Sequence, residues 1–181
     1  MRVIGNVTAY YSKADYPSHH YLCEFWVKHM FFTSMEQMLM YSKAMHFGDT
    51  ANANRIMGTN NCQAQKMIGR DVTPFDEADW DIKSEKVAFV GNIAKFRQNP
   101  PILALLMSTG DNILVEASDR DTIWGVGLNE KDDRIGDPTK WLGRNKHGNV
   151  MMKVRDYFNE NRHLIPEMDY TTMQQASRSR Y

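Results

Sequence analysis

The chain has 181 residues, 42% of them apolar and 11% aromatic, which is enough to enclose one core of ordinary size. Lysine plus arginine (22) equals aspartate plus glutamate (22), so no overall field draws the chain to nucleic acid or membrane, and a partner held by charge needs a local patch. The opening MRVIGNVTAYYSKADY lacks the apolar run of a signal peptide and no stretch is apolar enough to span a bilayer, so a cytoplasmic protein without membrane contact is expected. Cys23 and Cys62 fit no metal-ligand spacing and read as free thiols.

Residues 1 to 32 alternate short β-prone runs with turn residues and predict two or three strands. From Ser34 to Phe47 the apolar residues suit a helix that stops at Gly48-Asp49. TANANRIMGTNNCQAQKMIGR reads as two short helices parted at Gly58 to Asn61, and DVTPF as a turn. The stretch from Phe75 to Asn99 opens with acids and places Ile82, Lys86, Phe89, Ile93 and Phe96 at helical spacing, predicting a long amphipathic helix broken by Pro100-Pro101. ILALLMSTG is a further short helix, NILVEAS a buried strand, and DRDTIWGVG a turn. Residues 128 to 144 read as a surface loop, before a last helix with Val150, Met151, Val154 and Phe158 on one face. The whole predicts one α+β domain over 1–165, mostly helical with a small sheet, and a loosely ordered tail over 166–181.

Three stretches carry groups suited to chemistry. In TSMEQMLMYSK, Glu36, Met40, Lys43 and Phe47 share one stripe of a helix that has no plainly polar side, so both charges are expected to be enclosed. Ordinary physics accounts for each: Thr33-x-x-Glu36 is a capping box, and Lys43 can snorkel. The two Cα atoms should lie ~10 Å apart along the axis, a separation one ligand can bridge. In SDRDTIWGVG, Asp121 precedes Trp124-Gly125, an indole next to a residue without a side chain; this suits stacking on a ring, although for an isolated W-G dipeptide a core tryptophan and a turn glycine is the favoured reading. In WLGRNKHG, Asn145 precedes the last helix, either as its N-cap or as an amide that, with the helix N-terminus, faces an anionic or hydroxyl-rich group. The six histidines form no metal spacing, and no phosphate-binding glycine loop is present.

Taken together these stretches resemble the NADAR or YbiA-like family from about Tyr21 to Phe158. TSMEQMLMYSKAMHFGD resembles its acid-to-lysine helix, QKMIGRDVTPFDEADWD its GR-x-V-x-x-F segment, VGNIAKFRQNPPILALLMSTGDNILVEAS its K-F-x-Q-N-P and L-x-E-A-S region, and DRDTIWGVGL its D-x-x-W-G-x-G turn. The resemblance implies an N-glycosidase that cuts a ribose–nitrogen bond, with Glu36, Lys43 and Asp121 catalytic and Arg70, Glu116, Trp124, Gly125 and Asn145 binding substrate, all in one pocket. It implies no cofactor and no metal. The implied substrate carries ADP-ribose or a ribosyl phosphate, foremost an ADP-ribosylated guanine in nucleic acid. Phosphorylated riboflavin intermediates of the 5-amino-6-ribosylaminouracil type, or non-catalytic binding of an ADP-ribose-like nucleotide, are the alternatives. Lys43 is left as a proton donor, a phosphate contact or an imine-forming amine. Two departures from the family pattern stand out: Cys23-Glu24-Phe25 where a Ser-Asn pair is usual, and Lys146 and His147 where apolar residues are common.

Overall fold

The computed structural model describes residues 1–164; the tail at 166–181, expected to be loosely ordered, lies outside them. In chain order the elements are β1 (Arg2–Ile4), β2 (Val7–Tyr10), β3 (Phe25–Val27), β4 (Met30–Phe32), α1 (Met35–His46), α2 (Thr50–Met57), α3 (Cys62–Arg70), α4 (Glu77–Gln98), α5 (Pro100–Met107), β5 (Ile113–Glu116) and α6 (Lys146–Glu160). This is the α+β architecture the sequence predicts, with four short strands before α1 rather than two or three. The chain forms two compact units: Met1–Tyr11, Asp15–Pro17 and the chain from Phe96 make one, Ser12–Ala14 and Ser18–Lys95 the other.

In the first unit β1 pairs antiparallel with β2, and β2 parallel with β5, so that Tyr10 stands beside Glu116. Side chains alternate across a strand. Val7, Ala9 and Val115 accordingly enter a core with Val126, Leu128 and Ile135. Tyr10 and Glu116 point to the opposite face, where His147 at the start of α6 meets both. Val150, Met151, Val154 and Phe158 are all fully buried, as their spacing predicts. The segment at 128–144, expected to be a surface loop, is anchored instead: Ile135 is buried in that core and the Trp141 indole packs on it, donating to the Ile135 carbonyl at 3.0 Å.

In the second unit the β3–β4 hairpin turns through Lys28, in the left-handed region at φ 54°. Phe25 and Phe32 face inward against Met35 and Met38, while Trp26 and Phe31 pair on the other face with ring centroids 5.2 Å apart. The long helix α4 forms where predicted, but only part of the predicted stripe is enclosed: Phe96 is fully buried and Phe89 and Ile93 are half-buried. Ile82 is 80% exposed and Lys86 is exposed, whereas Trp80, Ser84, Ala88, Gly91, Asn92 and Lys95 are buried. At Gly91 a Cβ would lie 2.6 Å from Met35 Cε and from Met38 Sδ, so the methionine tips of α1 lie against this face. The packed side mixes the large Trp80 and Phe96 with small and polar residues.

Gly148 presses α6 onto β5, because a Cβ there would collide with the Leu114 carbonyl oxygen and both amide atoms of Asn145. Gly148→Ala is expected to destabilise by on the order of 2 kcal/mol, read as a lower thermal midpoint by circular dichroism. Gly58→Ala, whose Cβ would meet nothing nearer than 3.4 Å, should move the midpoint much less.

Candidate active site

The start of α1 departs from the expected capping box by one residue. Ser34 is the N-cap, its hydroxyl accepting from the Gln37 amide at 3.1 Å. Gln37, not Glu36, reaches back, its Oε1 accepting from the Thr33 N–H at 2.9 Å. Its Nε2 donates to the carbonyls of Ile56 and Thr59, and Ser34 donates to Gln65, so the cap is also tied to α2 and α3. Glu36 is thereby released from capping. It is buried, and its Oε2 lies 3.5 Å from His20 Nε2, while its backbone N–H donates to the His19 carbonyl.

Two turns along the same helix, Lys43 does not snorkel. It is 8% exposed, its Nζ donates to the Gly69 carbonyl at 2.7 Å, and it sits 3.9 Å above the Phe75 ring. Burial draws its pKa below that of an ordinary lysine. Gly69 is held close to α1, since a Cβ there would collide with the Met40 thioether. Arg70, the next residue, is exposed at the end of α3, with Nη1 3.6 Å from Met67 Sδ. Lys43 and Arg70 therefore meet at one turn, while Glu36 is paired with a different segment.

The other five predicted residues lie together in the first unit. Asp121 closes a turn, its Oδ1 accepting from the backbone N–H groups of Ile123 (2.9 Å) and Trp124 (2.8 Å). Oδ2 has no hydrogen bond among the described residues and remains for other partners. Gly125 is buried where a Cβ would come within 2.9 Å of the Asp121 carbonyl oxygen and 3.0 Å of that of Glu116, so no larger residue fits. Asn145 adopts φ 51° at the start of α6, and its side chain does not cap the helix. Its Oδ1 accepts from the Glu116 N–H at 3.2 Å and its Nδ2 donates to the Leu114 carbonyl at 2.9 Å. The backbone amides of Arg144, Asn145, Lys146 and His147 each donate to a carbonyl of the 122–125 turn. The turn, the strand end and the helix start are thus one hydrogen-bonded assembly.

Sequence reasoning left out several residues that complete these surroundings. His147 is fully buried, with Nδ1 3.1 Å from Glu116 Oε2 and its ring edge-on to both Tyr10 and Trp124. Lys146 is buried with its Nζ 5.0 Å from the Trp124 ring centroid. His20 faces Glu36, and Lys95 is buried on α4. The only signal available for Lys146 and His147 was that they depart from the family pattern. Glu36, Lys43 and Arg70 belong to one unit, and Glu116, Asp121, Trp124, Gly125 and Asn145 to the other. Among the described residues no cluster of three or more His, Cys, Asp or Glu is arranged to hold a metal, and no helix is long and apolar enough to cross a membrane.

Known proteins of similar sequence include N-glycosidases. An N-glycosidase of Acanthamoeba polyphaga mimivirus is 38% identical over 125 residues, 69% of this chain and 74% of that protein. The N-glycosidase YbiA of Escherichia coli is 28% identical over 116 residues, 64% of this chain and 66% of YbiA. The chain belongs to the NADAR family, whose domain matches residues 7–159. A solved structure of E. coli YbiA shares the fold, with a TM-score of 0.71 over 92% of both chains at 22% identity. A riboflavin biosynthesis protein of Vibrio vulnificus is 31% identical over 121 residues, 66% of this chain and 30% of that protein, so this chain spans under a third of it.

The cap register has a direct test. Ser34→Ala should destabilise by about 1 kcal/mol through loss of the N-cap, while Glu36→Gln should leave the denaturation midpoint within a few tenths of a kcal/mol, since Glu36 caps nothing. Urea denaturation of the two variants checks both.

Proposed function

We propose that this N-glycosidase hydrolyses the bond between ribose C1 and a base nitrogen in an ADP-ribosyl adduct, foremost ADP-ribosylated guanine in nucleic acid. The observation that carries the reading is Glu36, an enclosed carboxylate relieved of capping by its neighbour and set against an imidazole, in a chain of the NADAR family. When the C–N bond breaks, the base leaves with the bonding pair and takes up a proton, and positive charge builds on the ribose. Water then supplies the oxygen that bonds C1 and surrenders a proton. Glu36 and Asp121 are assigned to these needs, stabilising the developing cation and accepting the water proton. Trp124 stacks on the base or positions the ribose, and Arg70 meets phosphate oxygens. Glu116 binds ribose hydroxyls, Gly125 lets the turn close against the Asp121 and Glu116 carbonyls, and Asn145, whose amide is engaged on both sides, contributes by holding Glu116 rather than by touching substrate.

A second reading keeps the bond and changes the substrate to a phosphorylated riboflavin intermediate; the similarity to the Vibrio riboflavin biosynthesis protein favours it. Incubation with ADP-ribosylated guanine DNA and, in parallel, with 5-amino-6-ribosylaminouracil phosphate separates the two. Release of ADP-ribose is expected, and Glu36→Gln and Asp121→Asn should each lower kcat by about a hundredfold or more. Full activity in both variants overturns the assigned roles, cleavage of the uracil substrate alone establishes the second reading, and binding without turnover identifies a non-catalytic nucleotide-binding protein.

Lys43 has its own pH signature. Because burial lowers its pKa, a step that needs the neutral amine should gain rate as pH rises through a value below the usual lysine range, whereas a step that needs the ammonium should lose rate there. Borohydride reduction during turnover decides which: an ADP-ribosyl adduct on Lys43 marks an imine, and inactivity of Lys43→Met without any adduct in wild type marks a charge role.

A further inference from the structure

Lys95 is a lysine with no exposed surface at all, on the inner face of α4, and none of the roles above uses it. Its Nζ donates to the Ser18 carbonyl at 3.3 Å and lies 5.3 Å from the Tyr21 ring centroid, so it grips both ends of the turn from Ser18 to Tyr21. That turn is a hub. Its three successive carbonyls are taken by three different helices: Ser18 by Lys95 of α4, His19 by the Glu36 N–H of α1 at 2.9 Å, and His20 by the Cys62 thiol of α3 at 3.7 Å. The turn is closed internally by Tyr21 N–H to the Ser18 carbonyl and His20 N–H to the Ser18 hydroxyl. The side chain it delivers is His20, whose ring faces the Glu36 carboxylate.

Burying this ammonium is costly unless other groups replace the lost hydration, and the Ser18 carbonyl and the Tyr21 ring face supply part of that replacement. One turn earlier on the same face, Asn92 is also fully buried, and its Oδ1 has no hydrogen-bond partner among the described residues.

We propose that Lys95 is a positioning residue of the Glu36 site, holding the Ser18–Tyr21 turn so that His20 stays against the Glu36 carboxylate. This deepens the N-glycosidase reading and rests on it. The groups around the ammonium are Cys23, Cys62 and Tyr21, with Glu36, His20 and Lys13 facing the Cys62 side. Burial lowers the Lys95 pKa to about 8 and raises both thiols, so Lys95 loses its proton in a range where the cysteines are neutral. A rate that depends on the ammonium is therefore full below about pH 8 and falls above it.

Lys95→Met tests this. The folded variant should show kcat lowered on the order of ten- to a hundredfold, KM little changed, and the decline above about pH 8 abolished. Lys95→Arg, which keeps charge and donors, should recover much of the rate. If Lys95 acts through His20, the double variant Lys95→Met/His20→Gln should lose no more than the worse single variant. Wild-type kcat in Lys95→Met, or losses that add in the double variant, overturns the proposal. Should Lys95→Met fail to fold, a wild-type kcat that stays level above that pH overturns it alone. Should wild type cleave neither substrate, the function falls separately, and imidazole NMR of folded Lys95→Met still decides: shifted His20 ring signals support the positioning role, and unmoved signals refute it.

Discussion

Taking an ammonium or a carboxylate out of water costs several kcal/mol unless something replaces the lost hydration, and in this chain the replacement is repeatedly the main chain. Lys43 is answered by the Gly69 carbonyl, Lys95 by that of Ser18, Arg155 by that of Asn112, and Asp121 by the amides of Ile123 and Trp124. Groups held this way take their positions from turns rather than from opposite charges. Added salt should loosen the turns at 18–21, 69–70 and 121–125 less than it would a set of surface ion pairs.

The elements legible in the sequence were those with an ordinary apolar period. The face of α6 could be read directly because Val150, Met151, Val154 and Phe158 repeat at helical spacing and are all buried. The face of α4 could be read only in part: Phe96 is buried as its spacing predicts, but Ser84, Ala88, Gly91, Asn92 and Lys95 also point inward, and no hydrophobic template counts them, while Ile82 is exposed. The capping box at α1 was recognised in kind and misplaced by one residue; Ser34 and Gln37 form the same pattern as Thr33 and Glu36, and only the backbone geometry separates them. Candidate residues near one another in sequence, such as Asp121, Trp124 and Gly125, could be grouped on sight. His20 beside Glu36 and His147 beside Glu116 could not, because each contact is made by folding and not by spacing.

The departures from the family pattern after Asn145 also acquire a physical meaning. Lys146 and His147 are both buried, one beside the Trp124 ring and the other between Glu116 and two aromatic edges. An indole with an ammonium beside it offers a ligand both a flat surface and a positive charge. The same tryptophan flanked by apolar side chains would offer only the surface.

The start of α6 adds a constraint. The amides of Lys146 and His147, the first two of the helix, donate to the Ile123 and Trp124 carbonyls, so two of its otherwise orphaned N-terminal donors are satisfied inside the fold. Because those bonds belong to the main chain, exchanging the Lys146 side chain would leave them in place.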